Sequence, residues 1–370
     1  MSTVPDSGMR MGKHILKQFL IQAWARFLYH TGAWRLINRL TPRRLLILAG
    51  HCVDDSQVNA GLPSHLRIEP GHLEFLLGGL GRRFALNHVT GGLAVLSDSR
   101  GPRGTVALSM DDGYRDNLTA LPRILEATGA GCTVYLESRV LTEGRTNWGH
   151  EFFWLLGEGK DSPESFAQAW LAVDGTSSAG LQFKDLLSEG AANEYSVKKI
   201  LKYHCRPEQR DTFVRERFES RGGDGPSLCK RIHLDAEGVR EMLGCSVGQG
   251  AIEVGGHTRT HEVLSSLSVQ DQTKEIGGAA KELEQLFPGA AGETFAYPYG
   301  RDWDFNQDSR AAVRAAGYKV ALTTMPGVVT CDTDMYCLPR IMIDNSTPLH
   351  MLVAHASGGF LLWKRFGLKA

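Results

Sequence analysis

Three short segments hold the residues that could do chemistry. Asp111 and Asp112 stand side by side in Ser109-Met110-Asp111-Asp112-Gly113-Tyr114. Adjacent carboxylates repel unless a cation or hydrogen bonds relieve them, so the pair suits one metal ligand beside one general base. Asp-Asp-Gly is also ordinary turn chemistry, and this segment alone leaves that alternative open. In Gly255-Gly256-His257-Thr258-Arg259-Thr260-His261, two histidines stand four residues apart. On a helical stretch they would share one face about 5–6 Å apart, a span that a single ion can bridge. Two histidines and one carboxylate, with positions left for water, make a catalytic rather than a closed structural metal site. The plainer alternative is a helix start carrying two unrelated histidines. The third segment, Thr294-Phe295-Ala296-Tyr297-Pro298-Tyr299-Gly300, runs into a proline-bearing turn. Such a turn can fix a backbone N–H where a tetrahedral oxyanion needs a donor, although strand, Pro and Gly more often mark simple punctuation.

Each segment follows an apolar, β-prone run. Strands are expected over 45–49, 106–110, 132–137, 252–255, 294–297, 318–322 and 338–343, with helices over 117–127, 235–243, 268–286 and 306–316. Asp235 can cap its helix and Gly317 can stop the last crossover. Strands alternating with helices describe a parallel sheet, and the three segments fall at the C-terminal ends of strands, where such folds gather their active groups. The alternation breaks between 148 and 231, a helical or irregular stretch too long for a βα loop of about 2–6 residues. It reads as an insertion that can cover a barrel mouth. His204, Cys205, Glu151 and Trp154 lie in it with no ligand spacing between them.

Composition narrows the partners. The chain has 370 residues, 42% hydrophobic, with Lys+Arg and Asp+Glu both totalling 41. A formal net charge of zero provides no global field for a polyanion, and nucleic acid is not an expected partner. The 42 glycines show no collagen-like period and suggest loops, at Gly78-Gly79 and Gly222-Gly223 for example. Seven scattered cysteines without a C-x-x-C pair read as small buried residues of a reducing compartment, a bridge between Cys331 and Cys337 being the less favoured alternative. No secretory signal is read at the N-terminus: Gln22 and Arg26 interrupt the apolar run and no cleavage site follows. Leu16, Leu20, Ala23, Trp24, Phe27 and Leu28 instead fall at helical spacing amid Arg10, Lys13, Lys17, Arg26, Arg35, Arg39, Arg43 and Arg44. That segment can pack on the domain or lie on an anionic membrane surface.

Together and in this order, the segments resemble the polysaccharide deacetylases, carbohydrate esterase family 4, also called the NodB-homology domain. Ser-Met-Asp-Asp-Gly-Tyr is similar to the family's T-F-D-D-G-Y, Gly-Gly-His-Thr-Arg-Thr-His to its G-S-H-T-x-x-H, and Phe-Ala-Tyr-Pro-Tyr-Gly to its third motif. The similarity extends over about 45–345 and includes Leu338-Pro339-Arg340-Ile341. The resemblance implies an α/β fold, a distorted (β/α) barrel at 45–345 with the helical insertion at 148–231. A basic amphipathic helical extension at 1–44 and a C-terminal helix at 346–370 flank it. It makes Asp111 the catalytic base, Asp112, His257 and His261 the metal ligands, and Tyr299 the backbone oxyanion donor. Tyr114, Tyr297 and Pro298 are placed against substrate. Arg340 matches an arginine that holds the base carboxylate, with an ordinary ion pair as its plain alternative.

Two departures bear on mechanism. Ala296 and Tyr297 stand where the family often has an arginine, and no segment matches its closing Leu-x-His motif, which supplies a catalytic acid. His350 and His355 lie in a helix expected over 349–364, while His51 follows the first strand as a further candidate, so the proton donor stays open. The implied cofactor is a divalent metal, zinc first because two histidines and an aspartate with open positions suit it, with cobalt, nickel or manganese able to use the same ligands. The implied reaction is hydrolysis of an N-acyl group from an amino sugar. Alternatives are a metal-dependent amidase acting on a non-sugar amide and a non-catalytic glycan-binding protein; a binding module has no need of Asp111 beside Asp112. The lack of a signal pattern points to the cytoplasm or the inner membrane face, and to a glycan precursor, lipid-linked in the case where the N-terminal helix meets the membrane. Oligomeric state is left open.

Overall fold

The computed structural model describes residues 7–54, 61–245 and 251–365. Its strands are β1 (Arg44–Gly50), β2 (Cys52–Val53), β3 (Arg67–Ile68), β4 (Ala85–Asn87), β5 (Gly104–Met110), β6 (Cys132–Leu136), β7 (Ile252–Gly256), β8 (Ala291–Ala296), β9 (Val320–Leu322) and β10 (Ile341–Met342). β2 and β3 form a separate small pair; the others make one parallel, curled sheet in the order β10-β1-β5-β6-β7-β8-β9. β1 runs beside β5 along its whole length, from Arg44 opposite Gly104 to Gly50 opposite Met110. On its other side β5 pairs with β4 through Thr105–Ala107 and then with β6 through Leu108, Ser109 and Met110.

β1, β5 and β6 are buried at every position, which is why they read as unbroken apolar runs. Leu45, Ile47, Ala107, Tyr135, Ala296, Leu322 and Leu338 gather in one core cluster. Their strand neighbours Leu46, Leu48, Val106, Leu108 and Val134 belong to another, shared with the surrounding helices. The period-two alternation of side chains thus divides the strands between two cores. One segment ties the two edges of the sheet: Leu338 bridges Leu322 of β9, and Ile341 pairs with Leu48 of β1. This is the expected distorted barrel, a curled parallel sheet with its gap spanned by a few residues.

The helical stretch begins at Trp148–Gly157 and ends at Gly225–Ile232. It has its own aromatic core, including Phe152, Phe166, Trp170, Phe183 and Phe218. Glu151 there pairs with Arg215, and Trp154 packs edge-on against Phe218, so both are structural. All seven cysteines are unpaired.

Several expectations need correction. Gly78-Gly79 is not a loop but lies inside helix Pro70–Gly81. A Cβ at Gly79 would come within 2.3 Å of Leu349, so glycine there permits close approach of helix Leu349–Ala356. The helix expected over 349–364 is interrupted at Gly358, whose φ is 82°. The N-terminal apolar residues do not form one face. In helix Ser7–Thr31, Ile21, Ala25 and Leu28 are buried and Trp24 donates to the Gly359 carbonyl, whereas Leu16, Phe19, Leu20 and Phe27 are exposed. Nor is the whole segment a basic surface. Arg44 is buried and donates to the Ala356 carbonyl and Thr41, and Arg43 donates to the Ser99 and Gly101 carbonyls. The side chains of Arg10 and Lys13, and residues 1–6 of the expected extension, lie outside the described residues.

Candidate active site

The C-terminal ends of five strands converge: β1 delivers His51, β5 Asp111 and Asp112, β6 Glu137, β7 His257, and β8 the turn Tyr297–Gly300. Gly255 and Gly256 explain how β7 fits. A Cβ at Gly255 would meet the Thr294 carbonyl oxygen at 2.7 Å, and one at Gly256 the Tyr318 hydroxyl at 2.0 Å. Only glycine lets β7 approach its neighbours this closely.

Asp112, His257 and His261 each offer a donor atom, all within 4.8 Å of one another. Asp112 Oδ1 lies 3.3 Å from His257 Nε2 and 3.4 Å from His261 Nε2. Ligands about 2.0–2.1 Å from a tetrahedral ion stand about 3.3–3.4 Å apart, so these separations fit one small metal. The tautomer agrees. His257 Nδ1 is 2.7 Å from the Ala296 carbonyl oxygen, which can only accept; Nδ1 therefore carries the proton and Nε2 presents its lone pair to Asp112. Asp112 Oδ1 is buried and makes no hydrogen bond. A cation bound between Asp112 and the histidines would satisfy that oxygen.

The histidines do not meet on a helix, as the i, i+4 reading supposed. Residues 257–263 form an irregular turn in which Thr258 (φ 67°) and His261 (φ 59°) are left-handed. Asp112 (φ 69°) and Tyr299 (φ 61°) complete the set of described non-glycine residues with positive φ. Such conformations cost about 1–3 kcal/mol each and persist only where surroundings enforce them. Enforcement here comes from Glu275, in helix Val269–Leu286, whose carboxylate accepts from the Arg259 and Thr260 backbone N–H groups and from the Thr260 hydroxyl at 2.8–3.2 Å. The Thr258 hydroxyl accepts from His261 N–H at 3.0 Å.

Asp111 is clamped. Both its oxygens accept from Arg340, at 2.7 and 2.8 Å, and Arg340 also donates to the Thr323 carbonyl and Ser109 hydroxyl. Burial would raise the Asp111 carboxyl; the guanidinium more than offsets it and holds the group below its ordinary value. Asp111 is thus ionised, with free lone pairs still able to take a proton. His51 lies within electrostatic reach of Asp111, Asp112, His257 and Arg340, burial lowers its pKa, and its Nδ1 is buried without a partner. His350 and His355 are elsewhere, on helix Leu349–Ala356, where His350 meets Gln22 and His355 packs on Phe360.

Tyr114 and Tyr297, expected against substrate, are buried in the core instead. Tyr114 is fully buried, hydrogen-bonds His150 at 2.7 Å, stacks on His233 and joins the aromatic core of the insertion. His233 in turn reaches the Asp112 carbonyl oxygen at 3.1 Å. Tyr297 is buried against Phe305, and Pro298 is buried as well. Of that turn, Tyr299 alone borders the opening, its ring 4.7 Å from that of His261. Lys198 and Lys202, on helix Glu194–His204, were not singled out from the sequence. Lys202 lies 3.4 Å above the Tyr299 ring. Their four-residue spacing beside Tyr195 and Lys199 was the available signal.

A curled parallel sheet thus brings two histidines and paired aspartates together at its strand ends as a candidate metal-binding centre, and comparison shows what this chain is similar to. Residues 231–321, which hold both histidines and the Tyr299 turn, match the model of the polysaccharide deacetylase family, as the resemblance implied. Over 119 residues the chain is 30% identical to YxkH of Bacillus subtilis (strain 168), named among the polysaccharide deacetylases, covering 32% of this chain and 39% of that protein. The chain thus spans about two fifths of the length of that curated relative. Among solved structures, the Streptococcus pyogenes deacetylase PplD in complex with acetate shares the fold with a TM-score of 0.54 at 17% identity, covering 85% of this chain and 99% of that one. BC0361, a polysaccharide deacetylase from Bacillus cereus, does so with a TM-score of 0.51 at 14% identity, over 85% and 69% of the two chains.

Proposed function

We propose that the protein is a metal-dependent hydrolase that removes an acetyl or other N-acyl group from an amino sugar of a glycan or glycoconjugate precursor. The observation that carries this reading is the division of labour between adjacent carboxylates. Asp112 faces the Nε2 atoms of two imidazoles, while Asp111, one residue away, is held ionised by Arg340. Asp112, His257 and His261 would hold a divalent ion, zinc being our first choice, which would supply Lewis acidity to the reaction. Asp111 takes a proton from the attacking water as the C–O bond forms. The Tyr299 N–H, which has no protein acceptor among the described residues, donates to the oxygen that becomes anionic. As the C–N bond breaks, the departing amine takes a proton, and Asp111 carries the one that it drew from water.

The exposed face of the N-terminal helices has a second role in this reading. Phe19, Phe27, Leu36 and Leu40 are 52–68% exposed. Arg26, Arg35 and Arg39 are exposed beside them, and residues 7–44 contain no acidic side chain. We propose that this face rests on an anionic membrane surface, bringing the site to a lipid-linked substrate. No described helix is long and apolar enough to cross a membrane.

Acetate release tests the activity. The protein is expected to release acetate from N-acetylated amino sugars, and Asp111→Asn is expected to keep its metal but lose about 10²–10⁴ in rate. Near-normal turnover by that variant would place the base elsewhere; a matching loss of metal would make Asp111 a ligand.

A further inference from the structure

A cleft of about 730 Å³ opens between helix Glu194–His204 and the turn that carries Tyr299. Its wall includes Lys198, Lys199, Lys202 and Arg301, against one acid, Glu194. The chain as a whole is neutral, so this concentration of cations is local. Asp304 lies behind the wall and engages Lys202 at 3.1 Å. Lys198 has no such partner. Half-buried, its ammonium sits 4.2 Å above the Phe153 ring, with no carboxylate in ion-pair range among the described residues. Glu194 and Asp112 act on it only from beyond ion-pair range, which leaves room for a closer anion.

The cleft is continuous with the catalytic centre. Tyr299 is shared: Lys202 lies on its ring, which in turn meets the His261 ring at 4.7 Å. Lys198 feels the charge of Asp112, and His65, on the opposite wall, feels both Lys198 and His51. The shared Tyr299 lets one ligand reach both places, an anionic group at Lys198 and an acyl group at Asp112, His257 and His261. Trp303, 56% exposed, offers an aromatic face beside it. Four cations outnumber the two nearby acids, which suits a multiply charged anion rather than a single carboxylate.

We propose that the substrate is an N-acyl amino sugar carrying a phosphate or diphosphate, which this cleft binds with Lys198 as its main contact. The proposal rests on the deacetylase reading and narrows it: neutral oligosaccharide is the poorer substrate. The phosphate chemistry can come from a polyprenyl carrier or from a nucleotide.

The test uses the full chain in two assays. In the first, acetate release is measured from a neutral N-acetylglucosamine oligomer, from N-acetylglucosamine 1-phosphate, and from its polyprenyl-diphosphate and nucleotide-diphosphate derivatives. In the second, metal-depleted protein is titrated calorimetrically with glucose 1-phosphate, which has no acyl group to cleave and no ion to coordinate. We expect kcat/KM for phosphorylated sugars to exceed that for the neutral oligomer at least tenfold, with the better diphosphate identifying the carrier. Lys198→Gln should reduce that ratio, and the affinity for glucose 1-phosphate, by about tenfold or more, the loss of one charge-assisted contact. Arg301→Gln, on the exposed rim, should act in the same direction and serves if Lys198→Gln does not fold. Equal kcat/KM for neutral and phosphorylated sugars, with binding unchanged in both variants, overturns the cleft assignment and leaves the deacetylase reading standing. Binding that depends on Lys198, with no acetate released from any sugar, supports the cleft and overturns the activity.

Discussion

Glu137 follows β6, within electrostatic reach of Asp112 and His257, and is 1% exposed. One oxygen accepts from Asn147 at 2.9 Å and the other has no partner. Burial pushes its pKa from 4.5 up to about 8, against the pull of Arg139 and Asn147. A folded value above the unfolded one means that the folded protein keeps a proton the unfolded chain releases. The stabilisation is therefore complete below 4.5 and is lost as pH rises through about 8. Denaturant unfolding of metal-free protein should show the wild type losing stability relative to Glu137→Gln by about 1 kcal/mol per pH unit across that window. Parallel curves for the two proteins would show that Glu137 ionises normally. Glu137 also shows what reading residues in sequence misses. Asp111, Asp112, His257 and His261 stood out because their spacing along the chain is itself the signal. Glu137, Glu275 and Lys198 reach the site from separate elements, and nothing local announces it. Tyr114 and Tyr297 show the converse: adjacency to a motif placed them near the site, but strand alternation and the aromatic core of the insertion turned their side chains inward.

At the scale of elements, the turn between His257 and His261 depends on a neighbour. Glu275 gathers two backbone N–H groups and a hydroxyl from it, while Arg259 is tied to Glu282 on the same helix at 2.8 Å. We expect Glu275→Ala to weaken metal affinity about 10–100-fold, as loss of an outer support does, with the fold retained. Chelator competition followed by circular dichroism would measure both, and unchanged affinity would mean the turn holds itself. The strands of the sheet were legible because burial on both faces leaves long apolar runs, and the crossover helices because their caps and periodicity agree. β4 and helices Pro70–Gly81 and Val89–Ser97 were not, because Gly78-Gly79 and Gly91-Gly92 look like turns in sequence yet serve close packing. A Cβ at Gly92 would come within 2.7 Å of Leu45. The helical reading of the histidine turn failed for a related reason: positive φ at threonine and histidine is enforced by contacts distant in sequence.

For the whole molecule, the N-terminal helices join one buried face to one exposed apolar face. Intact protein should sediment with anionic vesicles and release as salt rises, and should ignore neutral ones. Replacing Arg35 and Arg39 with Gln should weaken binding by on the order of tenfold, at about 1 kcal/mol for each basic group near the surface. Protein that stays in the supernatant at every salt concentration rules out the membrane role. The expected packing role is present regardless, since Ile21, Ala25 and Leu28 are buried in the main core.

The segment that spans the gap in the barrel also bears on synthesis. Arg340 lies between Leu338, which meets β9, and Ile341, which meets β1, so the residue that fixes the Asp111 carboxylate belongs to the last piece that shuts the sheet. In chain order this piece follows the other strands of the sheet. Until it emerges, β1 lacks its pairing with Ile341 and Met342 and Asp111 has no Arg340 guanidinium to hold it. Closure of the barrel and clamping of Asp111 thus depend on one segment, and a nascent chain that already displays both histidines and both aspartates still lacks the Arg340 contact.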